Sequence, residues 1–167
     1  MNGKRRRAFF VCAAGGHLME LLQAEPCAEG LEIHWVVPKK NDAVVLLEGK
    51  TVHWAKDCVA RVSSRLGFAK NLARLGAVAW DFLQAPLLLL KYRPDRIVST
   101  GSSIAVPYFL LAKLMPGTRT CFVETLARVD GPSPTGRVCA RFADLFLYQW
   151  EELAPFYPKG VYGGSVF

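Results

Sequence analysis

The sequence predicts a single α/β domain built on a Rossmann-like parallel sheet with helices on both faces. Short, almost continuously apolar segments alternate with segments of helical periodicity, which is typical of parallel strands buried on both faces. Two of these apolar segments end in turns of small residues that lead directly into helices, an arrangement that presents backbone N–H groups to polar ligands. A length of 167 residues suffices for one domain with a core and is too short for two of ordinary size.

The elements follow one another along residues 8–167, after a basic arm at 1–7. Short apolar strands are predicted at 8–12, 32–37, 51–55, 96–100, 119–124 and 144–148. Helices fill the intervals, at 17–25, about 42–49, about 64–91, 104–115, about 134–142 and 150–155. The apolar segment after the basic arm is too short for a signal peptide, because it runs straight into a glycine turn and an amphipathic helix.

The longest predicted helix, at about 64–91, has an apolar sector wider than one core contact needs. Its polar residues, Lys70, Asn71, Arg74 and Asp81, share one sector, and Pro86 should kink or interrupt it. Two interpretations remain open: the apolar face packs on the sheet, or part of it lies in a bilayer interface. A transmembrane span is not favoured, because polar residues and a proline interrupt a stretch that falls short of the roughly 20 apolar residues required.

The basic balance of the chain indicates an anionic partner. With 21 Lys plus Arg against 14 Asp plus Glu, the formal charge is +7, and an anionic membrane surface fits the basic residues around the long helix. We assign Arg65, Lys70, Arg74 and Trp80 to this membrane contact. No nucleic acid is expected as a partner, because the aromatic residues do not interleave with the basic ones in a binding pattern.

The cysteine pattern indicates a reducing, cytoplasmic setting. The five cysteines are odd in number, widely spaced and free of any Cys-x-x-Cys pair, so that neither a disulfide framework nor a zinc site is expected.

The first small-residue turn contains Gly15, Gly16 and His17. It matches neither a P-loop nor a dinucleotide-binding fingerprint. The functional interpretation is that the glycines let a phosphate or sugar approach the backbone, while His17 faces the same cleft as a neutral imidazole able to accept a proton. The alternative is a histidine that merely caps the helix, and the turn alone does not separate the two.

The second turn, Thr100 to Ser102, follows another strand and should open at the same edge of the sheet. Glu124 ends a third apolar strand, where an ionised carboxylate would be costly if it were buried without a partner. It therefore either faces a ligand at the open edge or pairs with a cation such as Arg128. We favour the ligand site.

Four segments together carry a family resemblance: Gly15 to His17, residues 93–101, residues 123–128 and residues 157–165. They resemble bacterial polysaccharide-biosynthesis proteins related to the acceptor-side, membrane-anchoring subunit of the bipartite UDP-N-acetylglucosamine transferase of dolichol-linked oligosaccharide synthesis. The resemblance runs from about residue 8 to the C-terminus. Two departures concern the turns, which read Cys12-Ala13-Ala14 and Gly101-Ser102-Ser103 where relatives often have serine or glycine.

The resemblance implies half of an enzyme, the N-terminal half of a GT-B glycosyltransferase, completed by a second subunit that carries the UDP-sugar-binding lobe. The reaction it implies is inverting and metal-independent, without a cofactor, and transfers a sugar to a polyprenyl-diphosphate-linked acceptor at the cytoplasmic face of the membrane. His17 would be the general base, and Glu124 would orient it or bind the acceptor. The acceptor would be bound by Gly15, Gly16, Thr100, Gly101, Ser102 and Arg128.

The C-terminal stretch, residues 150–167, is more apolar than a free tail should be. We expect Tyr157, Tyr162 and Phe167 to form the partner interface, although the same residues could simply complete the sheet. The alternative function is a recruitment scaffold that binds membrane and partner while every catalytic group lies on the partner.

Overall fold

The computed structural model describes residues 6–56 and 68–165, and for residues 68–75 and 77 the backbone alone. The strands are β1 (Arg7–Cys12), β2 (Glu32–Pro38), β3 (Thr51–Ala55), β4 (Arg96–Gly101), β5 (Arg119–Val123), β6 (Leu145–Tyr148) and β7 (Val161–Tyr162). The helices are α1 (Gly16–Gln23), α2 (Asn41–Leu46), α3 (Phe68–Tyr92), α4 (Ala105–Ala112) and α5 (Pro134–Cys139). Short 3-10 helices span Glu25–Ala28 and Glu151–Phe156.

All seven strands lie in one parallel sheet with the order β3-β2-β1-β4-β5-β6-β7. The order reverses between β1 and β4, which places the topological switch point of the sheet between them. The predicted Rossmann-like fold is therefore confirmed. Strand β7 was missed because two residues carry no periodic signal, and the helix predicted at 150–155 is a 3-10 helix that contains Pro155.

Helices cover both faces of the sheet, as the alternation along β1 shows. Phe10 packs in one buried cluster with Leu18 and Leu21 of α1. Phe9, its neighbour in sequence, packs in the other cluster with Leu89 of α3 and Phe109 of α4. Successive side chains of a strand point to opposite faces, so two cores form from one apolar segment.

The helix α3 buries a different face from the one its apolar residues suggested. Asp81, Ala85 and Leu89 point into the protein and are at most 2% exposed. Asp81 accepts a hydrogen bond from the backbone N–H of Lys56 (3.0 Å), just beyond the end of β3. Asp81, which the sequence placed in the polar sector of the helix, is therefore buried, and this hydrogen bond compensates its burial.

The opposite side of α3 carries an exposed apolar stripe, defined here as Trp80, Leu83, Leu87 and Leu90. Their exposed fractions are 50%, 65%, 69% and 66%. The helix continues through Pro86, so the expected interruption at this residue does not occur. Within the described residues, no helix combines the length and the apolar character needed to cross a bilayer.

Arg7 belongs to the sheet rather than to the predicted basic arm. Its Nε donates to Glu32 Oε2 (2.9 Å), and its NH1 donates to the carbonyl of Tyr92 (3.0 Å). Of the other arm residues, Arg6 is exposed, and residues 1–5 lie outside the described part of the chain.

Candidate functional site

The two small-residue turns meet at the switch point of the sheet. The Thr100 hydroxyl donates to the carbonyl oxygen of His17 (2.6 Å), and His17 Nδ1 lies 2.9 Å from the carbonyl oxygen of Thr100. These reciprocal hydrogen bonds join the start of α1 to the end of β4. The prediction that both turns open at one edge of the sheet is confirmed.

The same contacts assign the tautomer of His17. A carbonyl oxygen can only accept, so in the neutral imidazole the ring proton lies on Nδ1 and Nε2 carries the lone pair. The side chain is half-buried. Among residues 6–56 and 68–165, no hydrogen-bond partner of Nε2 is found. The capping alternative is wrong, because Gly15 occupies the N-cap position and no side chain caps α1.

Gly101 is required by His17 rather than by a ligand. Its φ is +126°, and a Cβ at this position would lie 2.7 Å from Cε1 of His17. The N–H group of Gly101 donates a hydrogen bond to Ser99 Oγ (3.1 Å). The N–H of Gly15 is likewise engaged, by Asp42 Oδ2 (2.9 Å). The N–H groups of Gly15 and Gly101 are thus used within the protein, whereas the expected approach of a phosphate or sugar to the backbone of Gly15 and Gly16 stays a prediction.

Ser102 occupies the backbone conformation that glycine favours. Its φ is +118°, one of the two positive values recorded for non-glycine residues in the described chain. Its side chain is half-buried at the same edge as His17. A non-glycine residue in this region is strained, so the departure noted in the second turn has a structural cost.

Glu124 does not face an open edge, and that prediction is wrong. The side chain is fully buried. It accepts hydrogen bonds from the backbone N–H groups of Thr125 and Ser133 (3.1 Å each) and from the hydroxyl of Tyr157. No ion pair with Arg128 is found in the described chain, and Arg128 is exposed. Glu124 thus fixes both ends of residues 125–133, which we call the β5–α5 loop.

Tyr157 is part of the core rather than of an interface. It is 4% exposed, and burial together with its hydrogen bond to Glu124 raises the pKa of its phenol. Tyr162 is 48% exposed and is available to a partner, whereas Phe167 lies outside the described residues. The other alternative, that these residues complete the sheet, holds for β7.

Glu20 is a site residue that the sequence analysis missed. It lies one helical turn after His17 and is 4% exposed. Its Oε1 accepts from the hydroxyl of Thr125 (2.8 Å) and from the backbone N–H of Leu126 (3.0 Å). Burial raises the pKa of Glu20, opposed by these hydrogen bonds. The available signal was the i, i+3 spacing from His17, which places both on one side of α1.

The C-terminal region forms a separate basic hollow of about 700 Å³ between α5 and residues 156–160. Arg137, Arg141 and Lys159 line it, together with Phe156, which is 48% exposed. It lies on the β6–β7 side of the sheet, away from the switch point.

The predicted membrane residues are only partly described. Trp80 is half exposed, and the ammonium group of Lys56 lies 5.8 Å from the centre of its ring. Arg65 and the side chains of Lys70 and Arg74 lie outside the described residues.

Comparison with known sequences finds a family and named relatives. Residues 65–166 match the family model "Oligosaccharide biosynthesis protein Alg14 like". A mouse protein named UDP-N-acetylglucosamine transferase subunit ALG14 is 32% identical over 96% of this chain and 82% of its own length. The protein of that name from Yarrowia lipolytica is 36% identical over 52% of this chain, and the match spans only 42% of that relative.

Comparison with solved structures supports the fold. MurG of Acinetobacter baumannii superposes with a TM-score of 0.60 at 16% identity, over 87% of this chain and 42% of MurG. UDP-GlcNAc 2-epimerase of Methanocaldococcus jannaschii gives a TM-score of 0.59 at 12% identity, over 93% of this chain and 45% of the epimerase. In both cases the shared fold accounts for less than half of the longer protein.

Proposed function

The chain belongs to the Alg14-like family of oligosaccharide biosynthesis proteins, and we propose that it is the acceptor-binding, membrane-associated subunit of a two-component inverting glycosyltransferase. The enzyme moves a sugar from a UDP-sugar to a polyprenyl-diphosphate-linked saccharide at the cytoplasmic face of the membrane. The names of the mouse and Yarrowia relatives support N-acetylglucosamine as that sugar. These relatives are eukaryotic, which favours lipid-linked oligosaccharide synthesis and gives no support to a bacterial exopolysaccharide role.

The observation that carries the proposal is the pair of hydrogen bonds between His17 and Thr100 at the switch point. They hold the imidazole with the lone pair of Nε2 unused. As the acceptor hydroxyl oxygen attacks the anomeric carbon, its proton passes to Nε2 and UDP leaves with the bonding electron pair. Such proton transfer contributes roughly 10²–10⁴-fold to the rate. The partner subunit, which holds the UDP-sugar, stabilises the departing UDP.

The acceptor diphosphate is bound at the start of α1 in this proposal. No hydrogen-bond partner is recorded within the described residues for the backbone N–H groups of Gly16 and His17, the first residues of this helix. A helix N-terminus favours anions. Arg128 is exposed on the β5–α5 loop, which Glu20 joins to α1, and supplies a positive charge on this side of the site. Thr100 and Gly101 act through His17 rather than by touching the acceptor.

Membrane contact is assigned to α3. Its 25 residues correspond to about 37 Å of helix, whereas the six residues of β4 span about 20 Å. Because Asp81 is fixed to Lys56 just past the end of β3, the helix before Asp81 extends beyond the edge of the sheet that holds His17. The exposed apolar stripe continues along the same helix, so a bilayer that contacts α3 lies beside the acceptor site.

The partner subunit is assigned to the C-terminal region. The basic hollow and the exposed side chains of Phe156, Val161 and Tyr162 give this region both charge and apolar surface. Phe156, Val161 and Tyr162 lie on the β6–β7 side of the sheet, so a second lobe docked there can close over the switch point.

The second candidate function is a recruitment scaffold. The exposed apolar stripe favours it, because the stripe can attach the chain to a membrane whether or not His17 is a base. The variant His17→Asn separates the two, because asparagine retains an N–H near the position of Nδ1 but has no titratable base. With the partner present, we expect turnover to fall roughly 10²–10⁴-fold, while copurification with the partner and sedimentation with anionic vesicles are retained. Turnover close to wild type would support the scaffold.

A further inference from the structure

Glu20 lies among the ionisable groups at the centre of the site. Burial raises the pKa of Glu20, and two further charges act on it: His17 favours the ionised carboxylate and Glu124 opposes it. Burial, and then the charge of Glu20, raises the pKa of the Cys12 thiol at the end of β1. The carboxyl group is therefore within electrostatic reach of α1, β1 and the end of β5.

The two oxygens of this carboxyl group are used differently. Oε1 accepts both hydrogen bonds from the β5–α5 loop, from Thr125 Oγ1 and from the N–H of Leu126. Oε2 is buried, and within the described residues it has no hydrogen-bond partner. Buried polar atoms are normally paired, and a buried carboxylate with an unpaired oxygen is destabilising unless a nearby positive charge compensates it.

A purely structural clamp does not need this charge. Glutamine has nearly the shape of glutamate, and its amide oxygen can accept the same two hydrogen bonds from Thr125 and Leu126. What glutamine cannot supply is a negative charge one helical turn from His17. The imidazole becomes positive only when it accepts a proton, so the charge matters at that step.

We propose that Glu20 is a positioning residue for proton transfer at His17: it holds α1 against the β5–α5 loop through Oε1, and its negative charge stabilises the imidazolium that forms when His17 takes the proton of the acceptor. The inference rests on the proposed function of His17 as general base. Glu20 does not touch the substrate, because its side chain is buried.

The test uses the reconstituted two-subunit enzyme and compares Glu20→Gln with wild type across pH. The expected result is a fall in kcat/KM of about 10-fold to 100-fold, with the acceptor KM changed by less than about twofold because no substrate contact is lost. The acid limb of the pH profile should move to lower pH, since His17 without the nearby negative charge holds its proton less tightly. Thermal stability and copurification with the partner should stay close to wild type.

Two further variants make the result specific. Glu25→Gln is the matched control: it removes the same charge two residues beyond α1, from a partly exposed side chain that binds Lys50 (2.6 Å), and should leave turnover and the pH profile unchanged. Glu20→Asp retains the charge, so its acid limb should stay near the wild-type position even if turnover falls. Equal shifts in the Asp and Gln variants would contradict the proposal, as would a Glu20→Gln protein that fails to fold.

The two variants His17→Asn and Glu20→Gln distinguish a failure of this inference from a failure of the proposed function. If His17→Asn keeps its turnover, His17 is not the base and both fail. If His17→Asn is inactive while Glu20→Gln matches wild type in rate and pH profile, only the role of Glu20 is overturned.

Discussion

At position 101, any side chain larger than a hydrogen atom meets the imidazole of His17. A Cβ there would lie 2.7 Å from Cε1, and φ is +126°. We expect Gly101→Ala to lower turnover of the two-subunit enzyme by about 100-fold, because the imidazole must move away from Thr100. The free energy of unfolding should fall by about 1–3 kcal/mol.

The matched control for this substitution is Gly76→Ala on α3, where a Cβ meets no atom of the described part of the chain within 4 Å. It should keep full turnover and gain up to about 1 kcal/mol of stability, the helix preference of alanine over glycine. Steady-state kinetics and urea denaturation of both variants check the pair. If Gly101→Ala retained wild-type turnover, the close packing of the two turns would not matter for activity.

Ser102 gives a second prediction at the residue scale. Because its φ of +118° is strained for serine, Ser102→Gly should raise the free energy of unfolding by about 1 kcal/mol. Ser103, the next residue, is not among the positive-φ residues, and Ser103→Gly should lower stability by about 0.5–1 kcal/mol through backbone entropy. The urea midpoints of the two variants should shift in opposite directions, and shifts of the same sign would show that position 102 is not strained.

The sequence indicated which residues lie at the turns, but it did not indicate which polar side chains are buried. His17 and Thr100 were predictable because small residues after two apolar strands must meet at one edge of a parallel sheet. The burial of Glu124 and Tyr157 could not be predicted, because their hydrogen bond joins residues that are 33 positions apart in the sequence. Glu20 was overlooked because a glutamate on a short amphipathic helix usually faces solvent.

At the scale of elements, α3 shows where pattern analysis fails. Its position and length were predicted closely, but both of its faces carry apolar residues, and hydrophobicity alone could not choose between them. The choice is made by tertiary contacts: Lys56 binds Asp81, and Gln84 Nε2 donates to the carbonyl of Trp54 (3.0 Å). These bonds turn Ala85 and Leu89 inward and leave the exposed apolar stripe outside.

Membrane binding should depend on the exposed apolar stripe. The double variant Leu83→Glu, Leu87→Glu should bind vesicles of anionic lipid at least about 10-fold more weakly, because it places two charges in the interface. Its thermal stability should stay near wild type, since both side chains are more than 60% exposed. Vesicle cosedimentation together with a thermal melt checks the two expectations.

Leu89 supplies the contrast on the same helix. It is 1% exposed, so Leu89→Ala should cost about 2–5 kcal/mol of stability, whereas Leu87→Ala should cost less than about 0.5 kcal/mol. Equal losses for these two variants would mean that α3 packs with another face. Unchanged vesicle binding by the double glutamate variant would remove the stripe from the membrane contact.

At the scale of the whole molecule, a pair of histidines, of which His34 is buried and His53 half-buried, makes the fold sensitive to acid. His34 Nδ1 and His53 Nε2 are 2.9 Å apart, packed against Tyr92 and Phe9. Burial, with His34 and Lys91 adding to it, lowers the pKa of His53 to about 4. Burial also lowers the pKa of His34, although Glu32, 3.4 Å away, opposes this effect and Arg7 adds to it.

In the unfolded chain both histidines take up protons at their ordinary pKa, whereas in the native protein the pKa of His53 is lowered to about 4 and that of His34 is also lowered. The free energy of unfolding should therefore fall as pH drops from about 6.5 to 4, by roughly 1–3 kcal/mol. His53→Phe should flatten this slope. Urea denaturation at pH 7 and pH 5 measures how the free energy of unfolding depends on pH. An unchanged pH dependence in the variant would show that other groups cause the acid sensitivity.

The sheet as a whole was predictable because alternating apolar strands and helices permit few arrangements of 167 residues. The two-residue strand β7 could not be predicted, since its sequence carries no periodicity and the strand forms by pairing with β6. That strand and the basic hollow beside it define the side on which we place the second subunit.

The central claim is that this chain supplies the acceptor side of a divided active site. Its most direct test is transfer of labelled N-acetylglucosamine from the UDP-sugar to a polyprenyl-diphosphate-linked acceptor by the purified chain, by its partner and by the mixture of the two. We predict transfer by the mixture alone. Transfer by either protein on its own, at the rate of the mixture, would contradict the claim.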